Sequence, residues 1–483
     1  MLEGLEITIQ TFKSLESIID YRIEAEYFDK RFLKIDAIFE HKNNISFFDV
    51  ADYENGRAFS SDQFSETYIE DGIKVSKIGD VTQKRANENW VWVSEVEFEK
   101  QKGKYLIDDD ILMSLTGDPP DVGKVNLFKD NTIKSTWNQR VARIYLKEDQ
   151  KYFYSSKTLF IVLTNKYCRE QLERYAKGIR QRNLGTECID KLKLPTLSIE
   201  FQILLDEFIS TSFAKIEDSR KTYKIAESIL MEAVGMIDFE FSQEPINIKY
   251  FKDSFQTTKR LDAEYYQIKY EQVIEKISTQ KHDTLISIVE ISKSIEPGSS
   301  HYSEEEEGLP FYRVSDYNRF GLSKPDKELT TSFVADNKDL INTLKPKKDT
   351  ILFSKDGSVG TAFLLRYDLD GITSSAILHL QVKNTKEILP EYLTLALNSK
   401  LVQMQAERDA GGSIILHWRK EEIEQVVVPI IDFKKQELIA ELVEESFKLK
   451  VESERLLEVA KKAVEIAIEQ DEKTAMNFIK DNT

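Results

Sequence analysis

Hydrophobic and polar positions change their spacing several times along this chain, and the changes mark out its elements. Residues 199–234 and 433–470 contain neither proline nor glycine. In the first stretch Ile209, Ile216, Tyr223 and Leu230 recur every seven residues, beside Ser212, Ser219, Ala226 and Ala233. In the second, Leu442, Leu449, Leu456 and Ala463 do the same, beside Ser446, Ser453, Ala460 and Ala467. A seven-residue seam with small neighbours predicts two long helices packed as a coiled coil. The alternative is two amphipathic helices, each lying on its own domain. Ahead of each long helix, short β-type runs (Gly72–Val75, Ile111–Met113, Val141–Tyr145; then Phe311–Val314, Ile351–Phe353, Ala376–Leu380) alternate with turn-forming clusters of Gly, Asp, Asn and Pro. One helix is predicted near 165–177 and one near 391–409. Leu194-Pro195 and Val428-Pro429 then read as extended entries to the long helices.

These elements occur twice in the same order. Arg22-Ile23-Glu24-Ala25-Glu26-Tyr27-Phe28 returns as Arg260-Leu261-Asp262-Ala263-Glu264-Tyr265-Tyr266, and a helix is expected around each copy. Lys77–Asp80 matches Arg313–Asp316, and Ile111–Ser114 matches Ile351–Ser354. Gly178, Pro195 and Gln202 correspond to Gly412, Pro429 and Gln436. The offset drifts only from 234 to 240 residues, so a unit of about 237 residues is duplicated in tandem. Pairing the two long helices with each other, antiparallel, is the economical arrangement for such a duplication. At about 1.5 Å per residue, a 36-residue helix is roughly 54 Å long, or about 16 base pairs of B-DNA.

Length and composition narrow the class. The chain has 483 residues, 41% hydrophobic and 31% charged, enough for two to four domains with their own cores. No apolar run reaches the roughly 18 residues needed to span a bilayer. MLEGLEITIQ also lacks the basic and apolar regions of a secretory signal. With only Cys168 and Cys188, the expectation is a reducing compartment, the cytoplasm. The net charge of −17 argues at first against a polyanionic partner. Its distribution removes the objection: residues 71–195 sum to +5 and 311–430 to 0, whereas 1–70, 196–250, 251–310 and 431–483 sum to −8, −5, −5 and −4.

Catalytic motifs do not emerge. Gly117-Asp118-Pro119-Pro120-Asp121 shares two prolines with the loop of amino-methyltransferases, but Asp121 stands where that loop needs an aromatic residue. It reads as a turn. Asp356-Gly357-Ser358-Val359-Gly360 lacks the lysine of a phosphate-binding loop and reads as a hairpin turn. His41, His282, His301, His379 and His417 have no metal-ligand spacing, and no metal is expected. Glu304–Glu307 reads as a solvated acidic loop. The pattern is that of a binding protein, not an enzyme.

Basic and polar residues do flank the turns, at matching places in both repeats. In the first they are Lys84, Arg85, Asn138 and Arg140 with Gln139 and Arg143, then Lys177, Arg180, Gln181, Arg182 and Asn183. In the second they are Arg313, Asn318, Arg319, Lys355, Ser358, His417, Trp418, Arg419 and Lys420. Arg, Asn and Gln suit base edges and Lys suits phosphates, so Lys84, Arg85, Asn138, Arg140, Arg180, Arg182, Arg313, Asn318, Arg319, Lys355, Ser358, Arg419 and Lys420 are the DNA-contacting candidates. Individually, each is equally compatible with an ordinary surface charge. The loops differ in chemistry: Ala176-Lys177-Gly178-Ile179-Arg180-Gln181-Arg182 corresponds to Ala410-Gly411-Gly412-Ser413-Ile414-Ile415-Leu416.

The duplicated R-[IL]-[ED]-A-E-Y-[FY] opening, the Arg313–Tyr317 run, the Gly357-Ser358 turn and the two proline entries, each followed by a glutamine and a long helix, resemble the specificity (S) subunit of type I restriction–modification systems. The resemblance covers nearly the whole chain and is closer in the second half; the longer Gly117–Gly123 turn departs from it. It implies an α+β chain that is a tandem duplication of a globular target-recognition domain plus a long helix, with the two helices forming an antiparallel coiled coil. The boundaries expected are an N-terminal arm at 1–20, recognition domain one at 21–197, a central spacer helix at 198–245, recognition domain two at 246–430 and a C-terminal spacer helix at 431–483. It also implies a non-catalytic subunit that binds double-stranded DNA, two DNA methyltransferase (modification) subunits and restriction (translocase/nuclease) subunits. S-adenosylmethionine, ATP and Mg belong to those partners, with no cofactor on this chain. The alternative is a scaffold or decoy that binds modification subunits without reading DNA.

Overall fold

The computed structural model describes all residues except 1–7, 10, 12–22, 66–67, 83–90, 119–120, 130–132, 151–153, 179–180, 243, 245, 304–307, 413–414 and 483. Arg22 of the opening motif and the acidic run Glu304–Glu307 therefore lie outside the described residues. The chain divides into two compact units, Met1–Lys215 with Glu452–Thr483, and Ile216–Val451. Both are mixed helix and sheet.

The first unit is organised on an antiparallel four-stranded sheet in the order Ala51–Asn55, Val141–Leu146, Ile111–Ser114, Val125–Leu127. The central strand Ile111–Ser114 is buried along its whole length, and strand alternation divides its side chains between two cores. Ile111 and Met113 join the large core under the helices, while Leu112 packs with Val81, Phe128 and Trp137. The second unit repeats the design in Val289–Lys293, Ile377–Val382, Ile351–Ser354, Ala362–Leu364. Here Ile351 and Phe353 face the large core and Leu352 joins Tyr317, Phe363 and Leu365.

Two elements differ from expectation for local reasons. The R-[IL]-[ED]-A-E-Y-[FY] motif is not a helix but a single 3-10 turn, Ala25–Phe28 and Ala263–Tyr266, and the α-helices Lys30–His41 and Ile268–Ser278 begin after it. Asp29 and Gln267 have extended backbone between the two, and the Asp29 carboxylate caps the new helix by accepting from the Arg31 N–H at 2.9 Å. The motif tyrosine serves as a stacking platform: Arg174 lies 4.2 Å over Tyr27, and Arg408 lies 5.2 Å over Tyr265. Likewise, the single helix expected in each repeat is a pair, Ser156–Thr164 with Lys166–Tyr175, and Pro390–Asn398 with Lys400–Asp409. Asn165 makes the first break by capping the next helix through the Tyr167 and Cys168 N–H groups. Ser399, also in extended backbone, makes the second.

The proline entries are short strands. Lys193–Pro195 pairs antiparallel with Asn44–Ser46, and Val427–Pro429 with His282–Thr284. Tyr154 and Tyr392 donate their hydroxyls to the Pro195 and Pro429 carbonyls. Gln202 and Gln436 hold the entering loops through the Leu197 and Ile431 carbonyls, each at 3.0 Å.

The long helices are Ile199–Val234 and Phe433–Glu469, and a separate helix Glu472–Asp481 follows. In the first unit, Phe201, Leu205 and Ile209 share a core with Leu456, Ala460 and Ala463. In the second, Tyr223, Ala226 and Leu230 share one with Ile439 and Val443. The small residues sit closest to the seam. Ser212 Oγ donates to the Ser453 carbonyl at 2.8 Å; Ser219 Oγ donates to the Ser446 carbonyl at 2.7 Å and Ser446 Oγ to the Ser219 carbonyl at 2.8 Å. Partner numbers fall from 453 to 446 as they rise from 212 to 219, so the pairing is antiparallel. Side chains larger than serine would hold these backbones apart.

Candidate nucleic-acid interface

Each repeat ends its central strand in a turn and its helix pair in a closed loop, and backbone hydrogen bonds join the two. In the first repeat, the Gly123 N–H returns to the Ser114 carbonyl at 2.7 Å, and Ser114 Oγ donates to the Asp121 carbonyl inside the turn. In the second, the Gly360 N–H returns to the Ser354 carbonyl at 2.8 Å, and Ser354 Oγ donates to the Ser358 carbonyl. Gly123 and Gly360 have φ of +72° and +81°, where a side chain is strained. The strand ends match and the turn lengths do not, which concentrates the difference at the tip.

The loops are closer copies. Lys177 and Asn183 exchange N–H···O bonds of 2.9 and 2.7 Å, and Gly411 and His417 exchange bonds of 3.0 and 2.7 Å. Gly178 and Gly412 stand at φ +122° and +130°, and a Cβ there would lie 2.3 Å from the Gln181 carbonyl oxygen or 2.1 Å from that of Ile415. Each loop is then tied to its turn. Leu184 N–H donates to the Leu115 carbonyl at 2.8 Å, and Trp418 N–H to the Lys355 carbonyl at 2.7 Å. Arg182 pairs opposite Gly117, and the Gly357 N–H donates to the Leu416 carbonyl at 2.8 Å.

This frame gathers part of the candidate set. In the first repeat the Arg140 carbonyl accepts from the Leu115 N–H at 2.9 Å, placing exposed Arg140 beside the turn. Asn138 Oδ1 accepts from the Arg140 N–H at 3.2 Å. Arg182 lies 3.7 Å from Glu173 on the preceding helix. Lys84, Arg85 and Arg180 lie outside the described residues. In the second repeat Lys355 pairs with Asp356, which also meets His417 Nδ1 at 2.9 Å, and Ser358 is exposed at the turn tip. Arg419 pairs with Glu422 while staying 68% exposed, and Lys420 lies 3.5 Å from Glu424.

Other candidates stand apart. Arg313 is within 4 Å of Asp316 and Asp326, and Asn318 Oδ1 accepts from the Phe320 N–H at 2.8 Å. Arg319 faces the long helix: its Nη1 is 3.1 Å from Glu227 Oε1, and its guanidinium lies 4.5 Å over Phe320 and 5.6 Å over Tyr223. Burial lowers its pKa to about 10. Arg366, which sequence reasoning passed over, makes a matching contact to Glu444 at 2.8 Å and lies 3.4 Å over Phe447. Arg143 is held by buried Asp110 at 2.7 Å. Trp418 is not at the surface: it is buried and packs on Phe353 at 5.8 Å, anchoring the loop from below. The bracing serines Ser114 and Ser354 were also missed, although the repeated Ile-Leu-x-Ser pattern marks them.

Among the described residues no group of His, Cys, Asp and Glu is arranged to hold a metal ion. Among them too, no helix is long and apolar enough to cross a membrane. Burial pushes the Cys168 thiol up to about 12, far from nucleophilic character at neutral pH.

The chain thus carries one backbone frame twice, a turn and a closed loop in each repeat, with unlike side chains. Residues 278–460 match the family model described as Type I restriction modification DNA specificity domain. Among solved structures the chain is similar to the type I restriction–modification S subunit from M. genitalium, at 15% identity over 90% of this chain and 95% of that one, TM-score 0.36. It is also similar to the HsdS subunit from Thermoanaerobacter tengcongensis, at 12% identity over 89% and 97%, TM-score 0.26. No curated protein matches the chain in sequence.

Proposed function

We propose that the chain is the non-catalytic, DNA-reading subunit of a type I restriction–modification complex, each repeat contacting one half of a bipartite target through its turn and closed loop. The observation that carries this reading is the duplicated frame. Equivalent backbone closures, between Lys177 and Asn183 and between Gly411 and His417, carry Gln181 and Arg182 in one repeat and Ile415 and Leu416 in the other, which suits two sites reading different bases. The long helices set the distance between half-sites and dock two methyltransferase subunits, which bring S-adenosylmethionine; restriction subunits bring ATP and Mg. The acid outside residues 71–195 and 311–430 then faces water and partners, and much of the phosphate neutralisation comes from those partners. The complex works in the cytoplasm, where its DNA is.

Methylome sequencing of a host expressing the chain with its modification subunits tests the proposal. The expected result is one bipartite methylated motif with a fixed spacer, lost when this chain is omitted. Methylation that is unchanged without the chain refutes it. A complex that assembles with modification subunits but retains no specific DNA points to the decoy scaffold instead.

A further inference from the structure

The two closed loops occupy equivalent places, so their side chains can be compared position by position. Arg182 corresponds to Leu416 and Gln181 to Ile415, both at an offset of 234 residues. Arg182 is held opposite Gly117 by strand pairing, and Leu416 is held at Gly357 by the Gly357 N–H bond. At the position where one repeat offers a guanidinium, the other offers a branched aliphatic group. Ile415 and Leu416 remain 56% and 42% exposed, although the loop carrying them is closed at both ends and anchored by buried Trp418. They do not fold back onto the Phe353 core beneath. The turn residue Lys355 is tied to the loop through the Trp418 N–H, and Arg419 and Lys420 follow the loop directly in sequence, each paired with a carboxylate, Asp356, Glu422 and Glu424 in turn.

Within a DNA major groove the one apolar group that a base edge presents is the C5-methyl of thymine. We propose that Ile415 and Leu416 contact thymine methyl groups in the half-site read by the second repeat, so that this half is recognised by apolar contact where the other is recognised by Arg and Gln. The inference rests on the DNA-reading function proposed above. The position argues for DNA over a protein partner, because these two residues replace the arginine and glutamine of the basic loop and share its hydrogen-bonded tie to the recognition turn.

The test uses the full chain in complex with its modification subunits. Duplexes are first selected from a randomised pool. The enriched target is then remade with deoxyuridine in place of thymine in one half-site at a time, which removes only the methyl. Burying one methyl group is worth roughly 0.8 kcal/mol, or about a fourfold change in affinity. Deoxyuridine in one half should weaken binding about fourfold for each methyl contacted. The double variant Ile415→Ser/Leu416→Ser should bind the thymine and deoxyuridine duplexes equally in that half, with an unchanged melting temperature. An enriched half-site without thymine, indifference of the wild type to deoxyuridine, or a loss that persists in the variant each overturns the inference alone. A variant that sheds modification subunits, while the wild type binds both duplexes equally, assigns the pair to a protein contact and also overturns it. A pool that yields no enriched sequence overturns the DNA-reading function, and this inference with it.

Discussion

Arg319 offers a direct test of how the second unit is held on its long helix. Its residue type and place in the Asn318-Arg319 turn suggest a DNA contact, but its guanidinium sits 3.1 Å from Glu227 and lies over the touching rings of Phe320 and Tyr223. Substituting Arg319→Met keeps most of the apolar stem and removes the charge, leaving Glu227 with its Coulombic attraction to Lys224. Breaking a buried ion pair costs about 3–5 kcal/mol. The Glu227 side chain is still 30% exposed, so water recovers part of that and a loss of about 2 kcal/mol is expected. For a unit of this size that lowers Tm by about 4–8 °C. Burial already raises the Glu227 pKa, and loss of Arg319 raises it further. A carboxyl with a raised folded-state pKa destabilises while ionised, so the variant should regain stability as the pH falls from 7 towards 5. Adding Glu227→Gln should recover much of the loss, and thermal melts of the four proteins in the double-mutant cycle give the coupling directly. If Arg319→Met melts like the wild type but loses one half-site, Arg319 reads DNA and the strut interpretation fails.

Further outcomes follow from the same contacts. Gly412→Ala places a Cβ about where the Ile415 carbonyl oxygen now lies, so the loop must open; binding to one half-site should fall at least tenfold with little change at the other, read by gel shift on half-site variants. Ser219→Leu forces a branched side chain between backbones joined by serine hydroxyls and should cost about 1–3 kcal/mol in a thermal or urea melt, whereas Ser219→Ala should cost only about 1 kcal/mol. Burial lowers the His379 pKa to about 4. Its stabilising neutrality is therefore complete above about pH 6.5 and lost as the pH falls towards 4, a swing of about 3 kcal/mol relative to His379→Asn in melts across that range.

What could be read from the sequence depended on whether the signal was local and repeated. The long helices were legible because 36 residues without a helix breaker leave little choice, and the central strands because Ile-Leu-x-Ser is apolar on both faces. The opening motif misled because Ala, Glu and Tyr suit a helix as well as a 3-10 turn, and the break at Asp29 depends on its carboxylate turning to cap the next segment. The helix pairs were read as single helices for the same reason: Asn165 and Ser399 act through backbone conformation and capping, which spacing does not reveal. At the site, residue type identified cations but not what each cation faces. Arg319 and Arg140 are alike in sequence; one is bound to a helix carboxylate across 92 residues and the other remains exposed beside a turn. Long-range pairing of that kind lies beyond any local pattern.

Under the proposed function, the duplication also reconciles a net charge of −17 with a DNA partner. If every surface had to carry its own phosphate neutralisation, a DNA reader at −17 would repel its target. Here the backbone frame, with its paired glycines and hydrogen-bonded loop closures, fixes where side chains are presented, and the side chains themselves are free to differ. One loop can therefore carry Lys177 and Arg182 while its copy carries Ile415 and Leu416, without either repeat losing its fold. The two compared segments then differ in net charge, +5 against 0. If each repeat reads one half-site as proposed, selection acting on these side chains while the frame stays constant is a route by which one duplicated scaffold would acquire two unlike specificities.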